Sequence, residues 1–136
     1  MNRILIDTMH IADLLIEDSH FELARKLQNK KITGLVSVIT LTELVKTSGM
    51  KNEDLMYSIL DRLISSNLVF VDVSQKIAIR AGELRLKYDI PTADSLIAAT
   101  GIVENVKHIL TDDDHFDPLV NLIKPINLKT AVNMFR

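Results

Sequence analysis

Four carboxylates carry the chemistry this sequence can offer: Asp7, Glu43, Asp94 and Asp113, the last flanked by Asp112 and Asp114. Two carboxylates about 5 Å apart at an effective dielectric near 20 repel by roughly 3 kcal/mol. Four gathered together, all ionised, would cost on the order of 20 kcal/mol. That exceeds the ~5–15 kcal/mol stability of a whole domain. Such a cluster must protonate some members or hold a cation. All-oxygen donors favour a hard ion, Mg²⁺ or Mn²⁺. In an open carboxylate cup, such an ion suits phosphate-ester chemistry, because it orients a water, lowers its pKa and neutralises phosphate oxygens.

Each acid also has a plainer explanation. Asp7 can cap a helix. Thr40-Leu41-Thr42-Glu43 reads as a capping box, with Glu43 reaching back to the Thr40 amide. Asp94 suits the positive end of a helix, and Asp112-Asp113-Asp114 can be a solvated loop. None of these explains why the acids should gather.

The surrounding elements predict that they do. Ile4 to Ile6 reads as a buried strand ending at Asp7. A helix follows, with Ile11, Leu14 and Leu15 at helical spacing. A second helix fits from about Ser19 to Gln28, with Phe21, Leu23, Ala24 and Leu27 inward. Ile32 to Ile39 is β-branched and reads as strand two, with Thr40 to Lys46 helical after it. Asn52-Glu53-Asp54 starts a helix whose inner face is Leu55, Ile59, Leu60, Leu63 and Ile64. Strand three is Leu68 to Val73, followed by a helix from about Gln75 to Lys87. Pro91 opens a helix to about Glu104 that is apolar nearly all round and must be buried, His108 to Leu110 is a strand, and a fifth strand near Ile126 and a turn near Ala131 follow. The alternation predicts an α/β fold: a three-layer sandwich with a central, mostly parallel sheet of about five strands, residues 1–136 forming one domain. Right-handed crossovers place the strand C-termini on one edge, where ligands bind. Asp7, Glu43 and Asp113 leave strand ends on that edge.

These residues resemble the PIN-domain ribonucleases, most closely the VapC-type toxins of toxin–antitoxin pairs. The resemblance rests on Ile4-Leu5-Ile6-Asp7-Thr8 with Leu14-Leu15, Ser37-Val38-Ile39-Thr40 leading to Glu43-Leu44, Ile90-Pro91-Thr92-Ala93-Asp94-Ser95-Leu96-Ile97-Ala98-Ala99, and Ile109-Leu110-Thr111-Asp112-Asp113-Asp114-His115-Phe116. These motifs stand in the family's order. Residues 48–89 match only in pattern. The resemblance implies that Asp7, Glu43, Asp94 and Asp113 are the catalytic acids. Asp7, Asp94 and Asp113 then bind Mg²⁺ or Mn²⁺, and Glu43 serves as ligand or water-orienting base. Thr8, Thr111 and His115 support the site. It further implies single-stranded or structured RNA as substrate, a cognate antitoxin and a homodimer. One departure is Met9, where the family usually has Asn. Met cannot supply the amide hydrogen bonds and reads as a core residue. It motivates an alternative, a non-catalytic or weakened PIN-like binding module.

The 136 residues carry 16 Lys+Arg against 18 Asp+Glu, a balance that disfavours coating duplex DNA by bulk charge. Arg25-Lys26 with Lys30-Lys31, and Arg80 with Arg85 and Lys87, read as solvated helix faces that could track a single strand beside the acids. Without cysteine there is no disulfide, thiolate zinc site or thiol nucleophile. His10, His20, His108 and His115 lack zinc-ligand spacing; His108 reads as a strand-edge residue, His20 as surface and Asp13 as helix surface polarity. No GxGxxG, Walker A or GxSxG motif occurs. A receiver-like domain would need an acceptor Asp after strand three, but Asp72 falls within that strand. The first apolar run stops at Asp7, too soon for a signal peptide, and no run is long enough to span a membrane, so a cytoplasmic protein is expected.

Overall fold

The computed structural model describes residues 2–135. Five strands form one sheet: β1 (Arg3–Ile6), β2 (Thr33–Ser37), β3 (Val69–Val71), β4 (His108–Leu110) and β5 (Lys124–Ile126). Their order is β3-β2-β1-β4-β5 and every neighbouring pair is parallel. The helices are α1 (Thr8–Ile16), α2 (Phe21–Gln28), α3 (Ile39–Gly49), α4 (Glu53–Ile64), α5 (Gln75–Lys87), α6 (Thr92–Val103) and α7 (Leu128–Met134).

Strand alternation divides the core in two. Ile4, Ile6, Val36 and Leu110 point to one face and pack with α1, α2, α3, α4 and α7. Leu5, Leu35 and Ile109 point to the other and pack with α5, α6 and the segment from Phe116 to Ile123. A side-chain period of two on strands covered on both faces yields the predicted three-layer, parallel α/β architecture.

Local chemistry starts the helices where expected. Asp7 caps α1, Asn52 caps α4 and Ser74 caps α5, each side chain accepting a backbone N–H. The predicted capping box does not form. Helix α3 begins at Ile39 after Val38, which offers no side-chain cap, and runs on to Gly49. Strand β2 accordingly ends at Ser37, two residues before the expected limit.

Several predicted faces are rotated. On α4 the buried residues are Met56, Ile59 and Leu63, while Leu55 and Ile64 face outward. The second helix is split into a 3-10 turn over Asp18–His20 and α2, leaving Phe21 66% exposed. Lys26 is not solvated: it is buried, and its Nζ donates to the carbonyls of Val132 (3.2 Å) and Phe135 (2.7 Å). His108 is the first residue of β4, at the strand edge where it is expected.

Candidate metal centre

The chain lays down β1, β2 and β3 outward in one direction, then returns to place β4 and β5 on the other side of β1. The reversal leaves a crevice at the C-terminal ends of β1 and β4, where parallel α/β sheets hold their ligands. Asp7 follows β1 directly, and Thr111 follows β4. The two ends are joined by Asp7 N–H donating to Leu110 O at 3.0 Å.

Asp7 is 6% exposed and fully engaged: Oδ1 accepts from Thr8 N–H (2.8 Å) and Oδ2 from Thr111 Oγ1 (2.7 Å). It therefore caps α1 and ties the end of β1 to the end of β4 at once. Thr111 Oγ1 also accepts from Asp113 N–H at 3.0 Å, so a single hydroxyl fixes Asp7 relative to the loop carrying Asp113. Asp113 Oδ1 accepts from His115 N–H (2.9 Å), which holds the loop turned. Asp94 stands in the first turn of α6, whose Ile97, Ala98 and Ala99 are buried against the sheet. Its Oδ2 is 2.9 Å from His115 Nδ1, and the same nitrogen is 3.0 Å from Asp113 Oδ1. Ligating atoms of Asp94, Asp113 and His115 lie within 4.8 Å of one another. Glu43 reaches forward to α1 rather than back to its own helix start: its Oε1 accepts from Thr8 Oγ1 at 2.6 Å. Thr8 Oγ1 in turn lies 3.1 Å from Thr40 Oγ1. Glu43 is thus one threonine away from Asp7, the residue Thr8 follows.

The electrostatics show how crowded the acids are. Burial, then the charges of Asp113 and Asp7, push Asp94 up to about 6, against a weaker opposing pull from His115. Burial also raises Asp7, opposed by its hydrogen bonds from Thr111 and Thr8 and reinforced by the charge of Asp113. Desolvation pulls the His115 imidazole down, but Asp113 and Asp94 together outweigh it and leave it raised. A protonated His115 between two carboxylates occupies the place a cation would take. The donors are carboxylate oxygens in excess of local positive charge, and these fit a hard divalent ion.

Met9 is not a core residue: it is 70% exposed on α1. His20, read as surface, is 4% exposed, and Asp13 belongs to a cluster with it and His10. No zinc-ligand spacing announces that cluster; its trace in the sequence is that His10 and Asp13 stand three residues apart, on one face of a helix.

The PIN domain family pattern matches residues 4–120. The chain belongs to the PIN domain family. A comparison with curated proteins finds no match. Among solved structures, the chain is similar to one in VapBC2 from Rickettsia felis bound to a DNA fragment from their promoter. That match has 29% identity and a TM-score of 0.76, and covers 92% of this chain and 98% of the other. DNA-bound VapBC from Salmonella typhimurium shares the fold at 19% identity and a TM-score of 0.72, with 93% and 98% covered. So does VapBC-5 of the VapBC family of toxin–antitoxin systems from Mycobacterium tuberculosis, at 18% identity and a TM-score of 0.61, with 93% and 98% covered. The predicted family and fold are thereby established. Among the described residues no helix is long and apolar enough to cross a membrane.

Proposed function

We propose that this PIN-domain chain, with residues 1–136 forming one domain, is the endoribonuclease toxin of a VapBC-type toxin–antitoxin pair. The observation that carries the reading is the convergence of Asp7, Asp94 and Asp113 on the β1/β4 crevice of a PIN fold. These three acids would hold Mg²⁺ or Mn²⁺, with Glu43 beside them. The ion, when bound, supplies charge neutralisation at the scissile phosphate and acidification of the attacking water. The chain's own residues supply placement. Thr111 fixes the Asp7 carboxylate, Thr8 orients Glu43 as ligand or base, and His115 neutralises Asp94 and Asp113 when protonated. The partners are RNA, a cognate antitoxin and a second copy of the chain, and the setting is the cytoplasm.

Single-stranded RNA should be cut with Mn²⁺ or Mg²⁺, spared with EDTA, and spared by Asp94→Asn; equal cleavage in all three sinks the proposal. Expression of the chain alone should slow growth, and its cognate antitoxin should restore it. Met9 supports the competing reading of a weakened or non-catalytic binding module. Calorimetry separates the two, since a dead site shows no Mn²⁺ binding that Asp7→Asn removes.

A further inference from the structure

A second group of ligating side chains stands beside the acids without belonging to them. His10 and Asp13 come from α1, and His20 from the 3-10 turn that follows it. The two histidines are 3% and 4% exposed. Their rings face each other with centroids 5.1 Å apart, and His10 Nδ1 lies 2.8 Å from His20 Nε2. A carboxylate oxygen of Asp13 completes a set whose ligating atoms all fall within 4.8 Å of one another.

The outward nitrogens make this pair more than a packed contact. His20 Nδ1 is 2.8 Å from Ser19 Oγ. His10 Nε2 is 3.1 Å from Asp112 Oδ2 but out of line for a hydrogen bond, so a buried ring nitrogen is left without a partner. Imidazoles that ligate a metal through one nitrogen characteristically turn the other toward a carboxylate or similar acceptor. Here the inner nitrogens converge, and each outer one has an oxygen beside it.

We infer that His10 Nδ1, His20 Nε2 and the Asp13 carboxylate form a binding site for a transition-metal dication of the zinc class, separate from the hard-ion site of the acids. Imidazole donors select Zn²⁺, Co²⁺ or Ni²⁺ over Mg²⁺. Nitrogens around a tetrahedral ion with bonds near 2.0–2.1 Å lie about 3.3 Å apart. The rings therefore need to part by about half an ångström. The protons balance without release. With the His10 proton on Nε2, His20 Nε2 donates to His10 Nδ1; on binding, the His20 proton passes to Nδ1, where the Ser19 hydroxyl changes from donor to acceptor.

The site stands or falls independently of RNA cleavage. The test uses full-length Asp94→Asn protein, which weakens the acidic site, titrated metal-free with Co²⁺ and Zn²⁺. One equivalent should bind and shift the ¹⁵N resonances of His10 Nδ1 and His20 Nε2. Asp13→Ala and His20→Gln should each weaken Zn²⁺ at least tenfold. Unchanged affinity in both variants, or ¹⁵N shifts confined to His108 and His115, overturns the inference. The ¹⁵N readout leaves the histidine pair unaltered, so it decides even if His20→Gln fails to fold.

Discussion

Asp94 and Thr111 set the behaviour of the acidic site at the level of single side chains. Asp94 is raised to about 6, whereas in the unfolded chain it titrates near 3.8. Between those values the folded state holds the extra proton, so this group lowers stability as pH rises from about 4 to about 6, and the loss persists above. Asp7, also raised, acts in the same sense. A raised His115 likewise loses stability as pH climbs through its folded value, while the lowered His20 and His108 run the other way. Comparison with Asp94→Asn isolates the first contribution. The melting temperature of metal-free wild type should fall relative to the variant between pH 4 and 6.5, and Mn²⁺ should reverse the deficit. At the proposed metal site a proton on Asp94 excludes the ion, so Mn²⁺ affinity should drop about tenfold per pH unit below about 6, measured by calorimetry. Thr111→Val removes the hydroxyl that donates to Asp7 and accepts from Asp113. Leaving a buried carboxylate oxygen unpaired should cost about 1–3 kcal/mol in urea unfolding and weaken Mn²⁺ binding as well.

At the level of elements, two glycines in neighbouring helices should respond oppositely. A Cβ on Gly101 of α6 would come within 2.5 Å of Ile123 Cδ1 and 2.9 Å of Leu5 Cδ2, so α6 meets β1 at van der Waals range only because that position is bare. Gly101→Val should cost about 1–3 kcal/mol by overpacking. On α5, a Cβ on Gly82 meets nothing within 4 Å, and Gly82→Ala should gain about 0.5–1 kcal/mol from helix propensity. Paired chemical denaturation curves check both. The element order and the helix starts at Asp7 and Asn52 were legible in the sequence because they depend on local hydrogen bonding and period. The choice of buried arc on α4 was not. Leu55, Met56, Ile59, Leu60, Leu63 and Ile64 span about half the helix circumference, and only the packed neighbours select Met56, Ile59 and Leu63. Exposed apolar side chains such as Met9 and Phe21 carry no mark in the sequence, since much of any protein surface is apolar. That Asp7 and the Asp113 loop leave neighbouring strand ends could be foreseen, because the parallel topology dictates it. The His10–His20 contact could not, because it depends on how the 3-10 turn folds back onto α1.

Across the whole molecule, long-range ties close the chain on itself. Lys26 on α2 is bonded to carbonyls at Val132 and Phe135, more than a hundred residues on. Lys26→Met strips those carbonyls of their donor and should cost about 1–3 kcal/mol, seen as faster amide exchange confined first to α7. The central strand pair has a further consequence, one of timing. β1 is synthesised well before its neighbour β4 and the acid-bearing loop after it, with β2 and β3 made in between. A nascent polypeptide therefore carries Asp7 and Glu43 without their counterparts. On the nuclease reading proposed above, the acidic site is not assembled, and no RNA is cut, until β4 and the loop after it have left the ribosome.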